Sequence, residues 1–307
     1  MQPTVRRSRS LDEASLLADR RVRLAWLAAA IVGTAAGISS LWLHLTTDPL
    51  ADVHAYYEAG SRLNAGLPLY PADADPDAAG FYRYPPLLAI LFRPLALLPF
   101  PTAATVWVVI LVAAFVGTIW ALGVRRRETW LAVGVLASPI AWTLSVGQAQ
   151  GLVTLLTALA TPWSIALAAQ AKLFPALVAL WWLGGRRWRQ LVTFGVWTIG
   201  LVLVQLILEP ANTMAFAAQT NLTQVGEVIN LSPYQISPIL WAVLVVIGVG
   251  ATLRLSRTRW GWMAAVTLSV LATPRLLTYM FSTMLAAISR RPAVEASTTP
   301  PGSEKSG

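Results

Sequence analysis

The sequence has 307 residues, 56% of them hydrophobic and only 12% charged, and its formal net charge is +9. Soluble domains carry about a quarter charged residues, so this composition excludes that class and indicates a helical integral membrane protein. The absence of cysteine excludes disulfides, thiolate catalysis and thiolate metal ligands, and the two histidines offer little for a metal site. We therefore expect neither a bound metal nor a cofactor.

The positive charge is not spread along the chain. Eighteen of the 23 Lys and Arg residues lie in five clusters at the termini or between apolar blocks: Arg6–Arg23, Arg125–Arg127, Arg186–Arg189, Arg254–Arg259 and Arg290–Lys305. Cytosolic loops of membrane proteins show such an excess of basic residues. The clusters thus predict a multi-pass protein with both termini in the cytosol, in contact with membrane lipids and with no nucleic-acid partner.

The first part of the chain contains one span followed by an acidic loop. Residues 1–23 form a cytosolic N-terminal segment, residues 24–45 a span that leads outward, and residues 46–85 an outer loop. From Asp48 to Asp77 the chain carries six of its fourteen carboxylates. Asp73, Asp75 and Asp77 have some likeness to the start of a calcium loop, but Pro76 and the lack of a closing glutamate favour a solvated turn.

The next apolar segment, from Pro85 to Pro99, is shorter than the ~20 residues that a helical span needs. It is either a re-entrant hairpin or a short span buried among neighbours. Re-entry is favoured because it places Arg125–Arg127 in the cytosol. Arg93, in the middle of the segment, is expected to face protein or a lipid phosphate.

The remaining chain alternates between apolar blocks and breaks. Residues 103–124 lead inward and 129–146 outward; residues 151–185 return in three short pieces, broken at Thr161-Pro162 and Phe174-Pro175. Further blocks are 190–208, 237–253, 260–272 and 276–289, with a second outer loop at 209–236 and a disordered cytosolic tail at 290–307. We predict an all-α, polytopic membrane bundle within residues 24–289, with about 8–11 membrane segments including short or re-entrant ones.

Asp52 is the candidate general base. It opens the stretch DVHAYYEAGSRLNAG, and if this stretch is helical, Asp52, Tyr56 and Ala59 share one face. A carboxylate at the lipid–water boundary can take a proton from an attacking hydroxyl. Asp52, or Asp48 before it, can equally well cap the helix. Local sequence leaves both interpretations open.

Lys172 and Arg275 are the candidate phosphate ligands. A lysine inside an apolar run costs roughly 2.5–3.5 kcal/mol on insertion scales, so Lys172 should be paired or line a wet cavity. Its ammonium can hold a lipid-linked phosphate, or it can reach the interface by snorkelling. Arg275 follows a proline break and is either a phosphate clamp or an interfacial anchor.

Several polar residues on the predicted outer side complete the candidate substrate-binding set. Gln148 and Gln150 suit sugar hydroxyls, with helix-end capping as the alternative. His54 can orient a ligand. Tyr234 and Gln235 lie in the second outer loop, where plain solvation is the alternative. Tyr84-Pro85-Pro86 suits a helix start better than a ligand contact.

An ordered series of motifs resembles glycosyltransferase family 87, from about residue 24 to 285. The series comprises Asp52-x-x-x-Tyr56-Tyr57 with Gly66-Leu67-Pro68-Leu69-Tyr70, Tyr84-Pro85-Pro86 running into Pro94–Pro99, Gly147-Gln148, Lys172-Leu173-Phe174-Pro175, and Thr273-Pro274 with Tyr279. The chain is shorter than is usual for that family, and it has Arg275 and Met280 where relatives often have His or Asp.

The resemblance implies a GT-C-like enzyme of the bacterial inner membrane, with its active site on the extracytoplasmic side. It implies a polyprenyl-phosphate sugar donor, mannose being expected, and a glycolipid or glycan acceptor. Asp52 would be the base of an inverting reaction, and Lys172 would lie near the donor phosphate. Tyr56, Tyr57, Tyr84 and Tyr279, which belong to the matching motifs, would bind substrate.

Two other functions fit a chain of this kind. A transporter or flippase of a lipid-linked sugar would also use an intramembrane lysine and broken helices, but it often shows an inverted repeat, and none is visible here. A non-catalytic relic of the enzyme family would not depend on Asp52.

Overall fold

The computed structural model describes residues 20–71, 81–218 and 229–288, and these residues are helical with no strand among them. The predicted turn at Asp73–Asp77 and most of both predicted cytosolic tails lie outside these ranges. The α-helices, in chain order, are α1 (Arg20–Thr47), α2 (Ala51–Asn64), α3 (Pro86–Phe92), α4 (Phe100–Leu122), α5 (Arg127–Val135), α6 (Ala137–Ser145), α7 (Gln150–Leu159), α8 (Pro162–Ala171), α9 (Ala179–Gly184), α10 (Trp188–Leu208), α11 (Pro210–Ala218), α12 (Pro238–Leu255) and α13 (Gly261–Leu271).

Short 3₁₀ helices lie at Leu95–Leu97, Phe174–Val178 and Pro233–Gln235, and a longer 3₁₀ helix, Thr278–Ile288, forms most of the last apolar block. Within the described ranges, α1, α4, α10 and α12 are long and apolar enough to cross a membrane, and shorter apolar helices accompany them. The prediction of a polytopic all-α membrane protein is confirmed. The predicted breaks at Thr161-Pro162, Phe174-Pro175 and Thr273-Pro274 are all present.

The structure divides the predicted block 129–146 into two helices, α5 and α6, which meet at Leu136. Pro139 explains the break, because it has no N–H to donate to the carbonyl of Val135 four residues earlier. Both predicted outer loops contain a helix: 46–85 contains α2, in the stretch considered for a helix, and 209–236 contains α11.

Helix α1 packs in parallel against α5 and α6 through glycines. A Cβ on Gly33 would lie 2.7 Å from the carbonyl oxygen of Val135 and closer still to that of Gly134, and a Cβ on Gly37 would lie 2.8 Å from Cβ of Ala137. Small residues allow such close backbone approach, which supplies van der Waals contact between helices in a membrane.

The basic clusters within the described residues meet at one end of the bundle. Arg257 donates to the carbonyl of Gly184 (3.3 Å), and Arg126 donates to that of Ile288 (3.4 Å). The indole of Trp262 donates to the carbonyl of Ala286 (2.8 Å), which joins the two pairs. Since α1 runs parallel to α5, its arginine-bearing start lies at this end too. This is the grouping that the charge pattern predicts.

At the other end, the Pro85–Pro99 segment, which contains α3, starts and finishes against α2. Tyr84, just before α3, packs edge-on against Tyr56 of α2, and Phe100, just after the segment, stacks on His54 of α2 at 3.8 Å. Both ends of the Pro85–Pro99 segment therefore lie on the same side, as re-entry requires. Arg93 within it pairs with Glu209 (3.2 Å), so it faces protein.

Candidate active site

Two backbone hydrogen bonds attach the start of α2 to the turn after α6. The N–H of Leu50 donates to the carbonyl of Ser145, and the N–H of Asp52 donates to that of Val146, both at 3.0 Å. No side chain caps α2: its N-cap is Leu50, in the left-handed region at φ 57°. The Asp48 carboxylate instead contacts His44 Nδ1 (2.8 Å) and accepts from Thr47 (2.7 Å). Neither Asp48 nor Asp52 caps α2, so helix capping does not account for the presence of an aspartate at position 52.

The turn that follows α6 presents Gln148 to Asp52. Gly147 has φ +71°, and a Cβ there would overlap Cγ2 of Val53, so only glycine fits. Oε1 of Gln148 accepts hydrogen bonds from the hydroxyls of Tyr56 (2.6 Å) and Tyr84 (3.0 Å). These two donors orient the amide with Nε2 toward Asp52. Nε2 is buried without a well-formed hydrogen bond, yet it is near enough to lower the pKa of Asp52.

Lys172 lies at the break between α8 and the 3₁₀ helix Phe174–Val178. Its Nζ is buried and makes no hydrogen bond. It lies 4.6 Å from the ring centroid of Tyr279 and 5.4 Å from that of Tyr84, and such cation–π contacts hold an ammonium without neutralising it. A buried Nζ is incompatible with snorkelling to the interface. Of the two interpretations of Lys172, the structure therefore supports the one in which it lines a cavity.

Arg275 is placed by a clamp from the second outer loop. The side-chain amide of Asn230 donates to the carbonyl of Pro274 (2.8 Å), and its oxygen accepts from the N–H of Leu276 (2.8 Å). The N–H of Leu231 also donates to the carbonyl of Leu276 (2.8 Å). The backbone on both sides of Arg275 is thus fixed by a buried asparagine.

The electrostatics connect Asp52 with both cations. Burial raises the pKa of Asp52 from its usual 3.8 to about 6, while the positive charges of Lys172 and then Arg275 pull it down. The negative charge of Asp48 raises it, and Gln148 lowers it slightly. A carboxylate with this pKa is largely ionised at neutral pH and still basic enough to accept a proton, which suits a general base.

A cavity of about 150 Å³ lies beside these groups. Its polar wall includes Tyr84, Gln150, Lys172, Arg275, Tyr279 and Thr283. The rest is mainly apolar, with Phe174, Phe216 and Met280 among the lining residues. Asp52 and Gln148 are not among the lining residues; Gln148 lies between Asp52 and the wall residue Tyr84, from whose hydroxyl it accepts a hydrogen bond. A mixed polar and apolar cavity suits an amphiphilic ligand.

Six predicted substrate ligands do not line the cavity: Tyr56 and Gln148, which hydrogen-bond to each other, and His54, Tyr57, Tyr234 and Gln235, which lie elsewhere. His54 is exposed and stacked on Phe100, and the hydroxyl of Tyr57 donates to the carbonyl of Leu98 (2.8 Å). Tyr234 packs edge-on against Trp241 at 5.5 Å, and Gln235 is exposed beside it. The binding of substrate by these six residues stays a prediction.

Sequence reasoning did not single out Thr283 or Phe216 and gave Asn230 no specific role. Thr283 receives a hydrogen bond from Gln150 and lines the cavity. The sequence does not distinguish it from the neighbouring hydroxyl residues Thr278 and Ser282 in the same apolar stretch. Phe216 lies in α11, and nothing in the sequence connects that helix with the cavity.

Comparison with known proteins places the chain in a family. The profile of glycosyltransferase family 87 matches residues 81–274. A polyprenol-phosphate-mannose-dependent α-(1-2)-phosphatidylinositol pentamannoside mannosyltransferase of Mycolicibacterium smegmatis is 33% identical over 168 residues, which are 48% of this chain and 41% of the relative. The protein of the same description from Mycobacterium tuberculosis is 31% identical over 177 residues, which are 49% of this chain and 40% of the relative.

The aligned part of the chain spans about two fifths of the length of these curated relatives. No solved structure matches it. The family profile begins at Phe81 and ends at Pro274, so Lys172 lies inside the matched range while Asp52, Arg275 and Tyr279 lie outside it. The match covers more than half of the sequence, and the chain belongs to glycosyltransferase family 87.

Proposed function

We propose that the chain transfers a mannosyl group from a polyprenyl-phosphate donor to a glycolipid or glycan acceptor, with Asp52 as the general base. The observation that carries the proposal is the interaction of the Asp52 carboxylate with both Lys172 and Arg275, beside a cavity with apolar walls. The relatives support the choice of substrates, because their descriptions give polyprenol-phosphate-mannose as the donor and a phosphatidylinositol mannoside as the acceptor.

In the proposed reaction the acceptor hydroxyl attacks the anomeric carbon of the donor sugar. A new carbon–oxygen bond forms there while the bond from that carbon to the phosphate oxygen breaks, and the phosphate leaves with the electron pair. The hydroxyl proton passes to Asp52. A single displacement of this kind inverts the anomeric centre, so a β-linked donor gives the α-linkage that the relatives' descriptions specify.

Lys172 and Arg275 are the groups that we assign to the phosphate. The ammonium of Lys172 is buried, interacts electrostatically with the Asp52 carboxylate and makes no hydrogen bond, so its three N–H donors are not used by the protein and can serve phosphate oxygens. Donors held in place before the reaction stabilise the negative charge that develops on a leaving group. A phosphate leaving group stabilised in this way needs no metal ion, and we propose a metal-independent reaction.

We also propose that the cavity opens on the extracytoplasmic side of a bacterial inner membrane. The basic clusters that the structure describes lie together at the far end of the bundle, where Arg257 donates to Gly184 and Arg126 donates to Ile288. The positive-inside rule assigns such an end to the cytosol. The predicted cytosolic location of both termini rests on the same argument.

The test compares Asp52→Asn with the wild type in membranes supplied with radiolabelled polyprenyl-phosphate-mannose. Removing a general base should lower the transfer rate by roughly 10²–10⁴-fold. Glu58→Gln is the matched control, because Glu58 is an exposed carboxylate on the same helix. Equal transfer by Asp52→Asn and the wild type would remove Asp52 from the mechanism. Lipid translocation without a new glycoside would indicate a transporter, and no transfer by the wild type would indicate a relic.

A further inference from the structure

Gln150, Thr154 and Thr283 form a buried hydrogen-bonded group at the cavity wall. Gln150 is the first residue of α7, Thr154 lies one turn later, and Thr283 comes from the 3₁₀ helix Thr278–Ile288 that packs along α7. All three side chains are almost inaccessible to solvent, and Gln150 and Thr283 line the cavity. None of these residues takes part in the proton transfer or phosphate binding described above.

The hydrogen bonds within the group run in one direction. Nε2 of Gln150 donates to the hydroxyl of Thr283. The hydroxyls of Thr283 and Thr154 are 3.0 Å apart, and that of Thr154 donates to the backbone carbonyl of Gln150 at 2.8 Å. Thr283 therefore donates to Thr154, and both hydroxyl protons are used. Oε1 of Gln150 remains buried without a partner.

An unpaired buried carbonyl is costly, so a ligand group that can donate a hydrogen bond is expected beside it. A phosphate diester oxygen has no proton to donate and would be repelled by Oε1. A sugar hydroxyl can both donate and accept, which makes it the matching group. The cavity thus offers two chemically different places, one with cationic donors at Lys172 and Arg275 and one with an acceptor at Gln150.

We propose that Gln150, held by Thr283 and Thr154, is the subsite that binds a hydroxyl of the donor sugar. The inference rests on the proposed function and deepens it, because it assigns the sugar and the phosphate of one donor to different residues. It gives Thr283 a positioning role: its hydroxyl fixes the amide of Gln150 so that Oε1 faces the ligand.

The experiment separates sugar binding from phosphate binding. The full chain in nanodiscs is titrated with two probes of equal chain length, a polyprenyl phosphate and the same polyprenyl phosphate carrying mannose. Gln150→Leu and the nearly isosteric Thr283→Val are compared with Thr157→Val. Thr157 lies on the same helix, is buried, and uses its hydroxyl to donate to the carbonyl of Val153 (2.7 Å).

We expect Gln150→Leu and Thr283→Val to weaken binding of the mannosyl lipid roughly tenfold while leaving the affinity for polyprenyl phosphate unchanged, with Thr157→Val neutral for both. If Gln150→Leu also lowers the unfolding midpoint, its binding loss is set aside, and the nearly isosteric Thr283→Val then tests the subsite. An equal loss for both lipids, or no loss for either, overturns the subsite while leaving the proposed function in place. A wild type that binds neither lipid overturns the proposed function and the subsite together.

Discussion

The hydroxyl of Tyr56 donates a 2.6 Å hydrogen bond to Oε1 of Gln148, between α2 and the turn that precedes α7. The same hydroxyl accepts from the N–H of Ala149 at 3.1 Å, so it is used as donor and acceptor at once. Tyr56 is fully buried among aromatic rings that include Phe92 and Trp107. The helix that carries Asp52 is consequently fixed against the rest of the bundle one turn beyond the base.

The first prediction is a pH dependence that arises from Asp52. The base works only when ionised, and burial raises its pKa to about 6, so kcat/KM should rise as the pH increases through about 6 and level off above it. The measurement is the rate of mannosyl transfer at a series of pH values that extends about two units to either side of this pKa. The residual activity of Asp52→Asn should lack the inflection. An inflection that persists in Asp52→Asn would assign the titration to another group.

The second prediction concerns Lys172→Met. Loss of a charged donor to phosphate should raise the donor KM roughly 10–100-fold. The variant should also move the pH inflection upward, because the charge of Lys172 lowers the pKa of Asp52 and its removal raises that pKa. Arg189→Met is the control for net charge, since Arg189 is exposed in the basic cluster at the other end of the bundle. A higher KM with an unmoved inflection would contradict the coupling between Lys172 and Asp52.

The sequence is sufficient for the membrane fold and for much of the site, because both follow from local features. The length of the apolar runs predicts the spans, and prolines predict the breaks. A lysine within an apolar run is expected to be paired or to line a cavity, because its charge is costly in lipid. Asp52, Gln148 and Lys172 are recognisable in this way. The basic loops are assigned to the cytosol, so the predicted topology places all three residues on the outer side of the membrane.

Other features follow from finer local patterns or from contacts between distant segments. The break at Leu136 requires recognition that Pro139 frees the carbonyl of Val135 within an apolar block. His54 and Tyr57 lie on α2 near Asp52 in sequence, but they face Phe100 and the carbonyl of Leu98 rather than the cavity. Helical periodicity accounts for this, because a helix over this stretch places Asp52 and Tyr56 on one face and His54 and Tyr57 away from it. Contacts between distant segments, such as that of Asn230 with Pro274, have no such local signal.

The third prediction tests the clamp at Arg275. Asn230→Ala removes the hydrogen bonds to Pro274 and Leu276, so Arg275 should be held less firmly and the donor KM should rise by roughly five- to tenfold. In the Arg275→Gln background, Asn230→Ala should add little to the KM, because the group that it positions is already gone. The measurement is a double-mutant cycle on the donor KM. Additive effects would show that Asn230 acts on stability alone.

The fourth prediction concerns the glycine contact between α1 and α5. Gly33→Ala would place a Cβ 2.7 Å from the carbonyl oxygen of Val135. Real Cβ atoms do not approach so closely, so the helices must separate. Overpacking of this kind costs about 1–3 kcal/mol. The unfolding midpoint of the full chain in detergent should therefore fall.

Gly200→Ala is the matched control, because Gly200 lies within α10 and a Cβ there meets no atom within 4 Å. It should leave the midpoint unchanged or raise it slightly, since alanine favours a helix over glycine by roughly 0.5–1 kcal/mol. Because α1 leads directly to the start of α2, separation of α1 from α5 and α6 should also disturb the Leu50–Ser145 hydrogen bond and slow transfer. Equal midpoints for Gly33→Ala and Gly200→Ala would mean that α1 is not held by this contact.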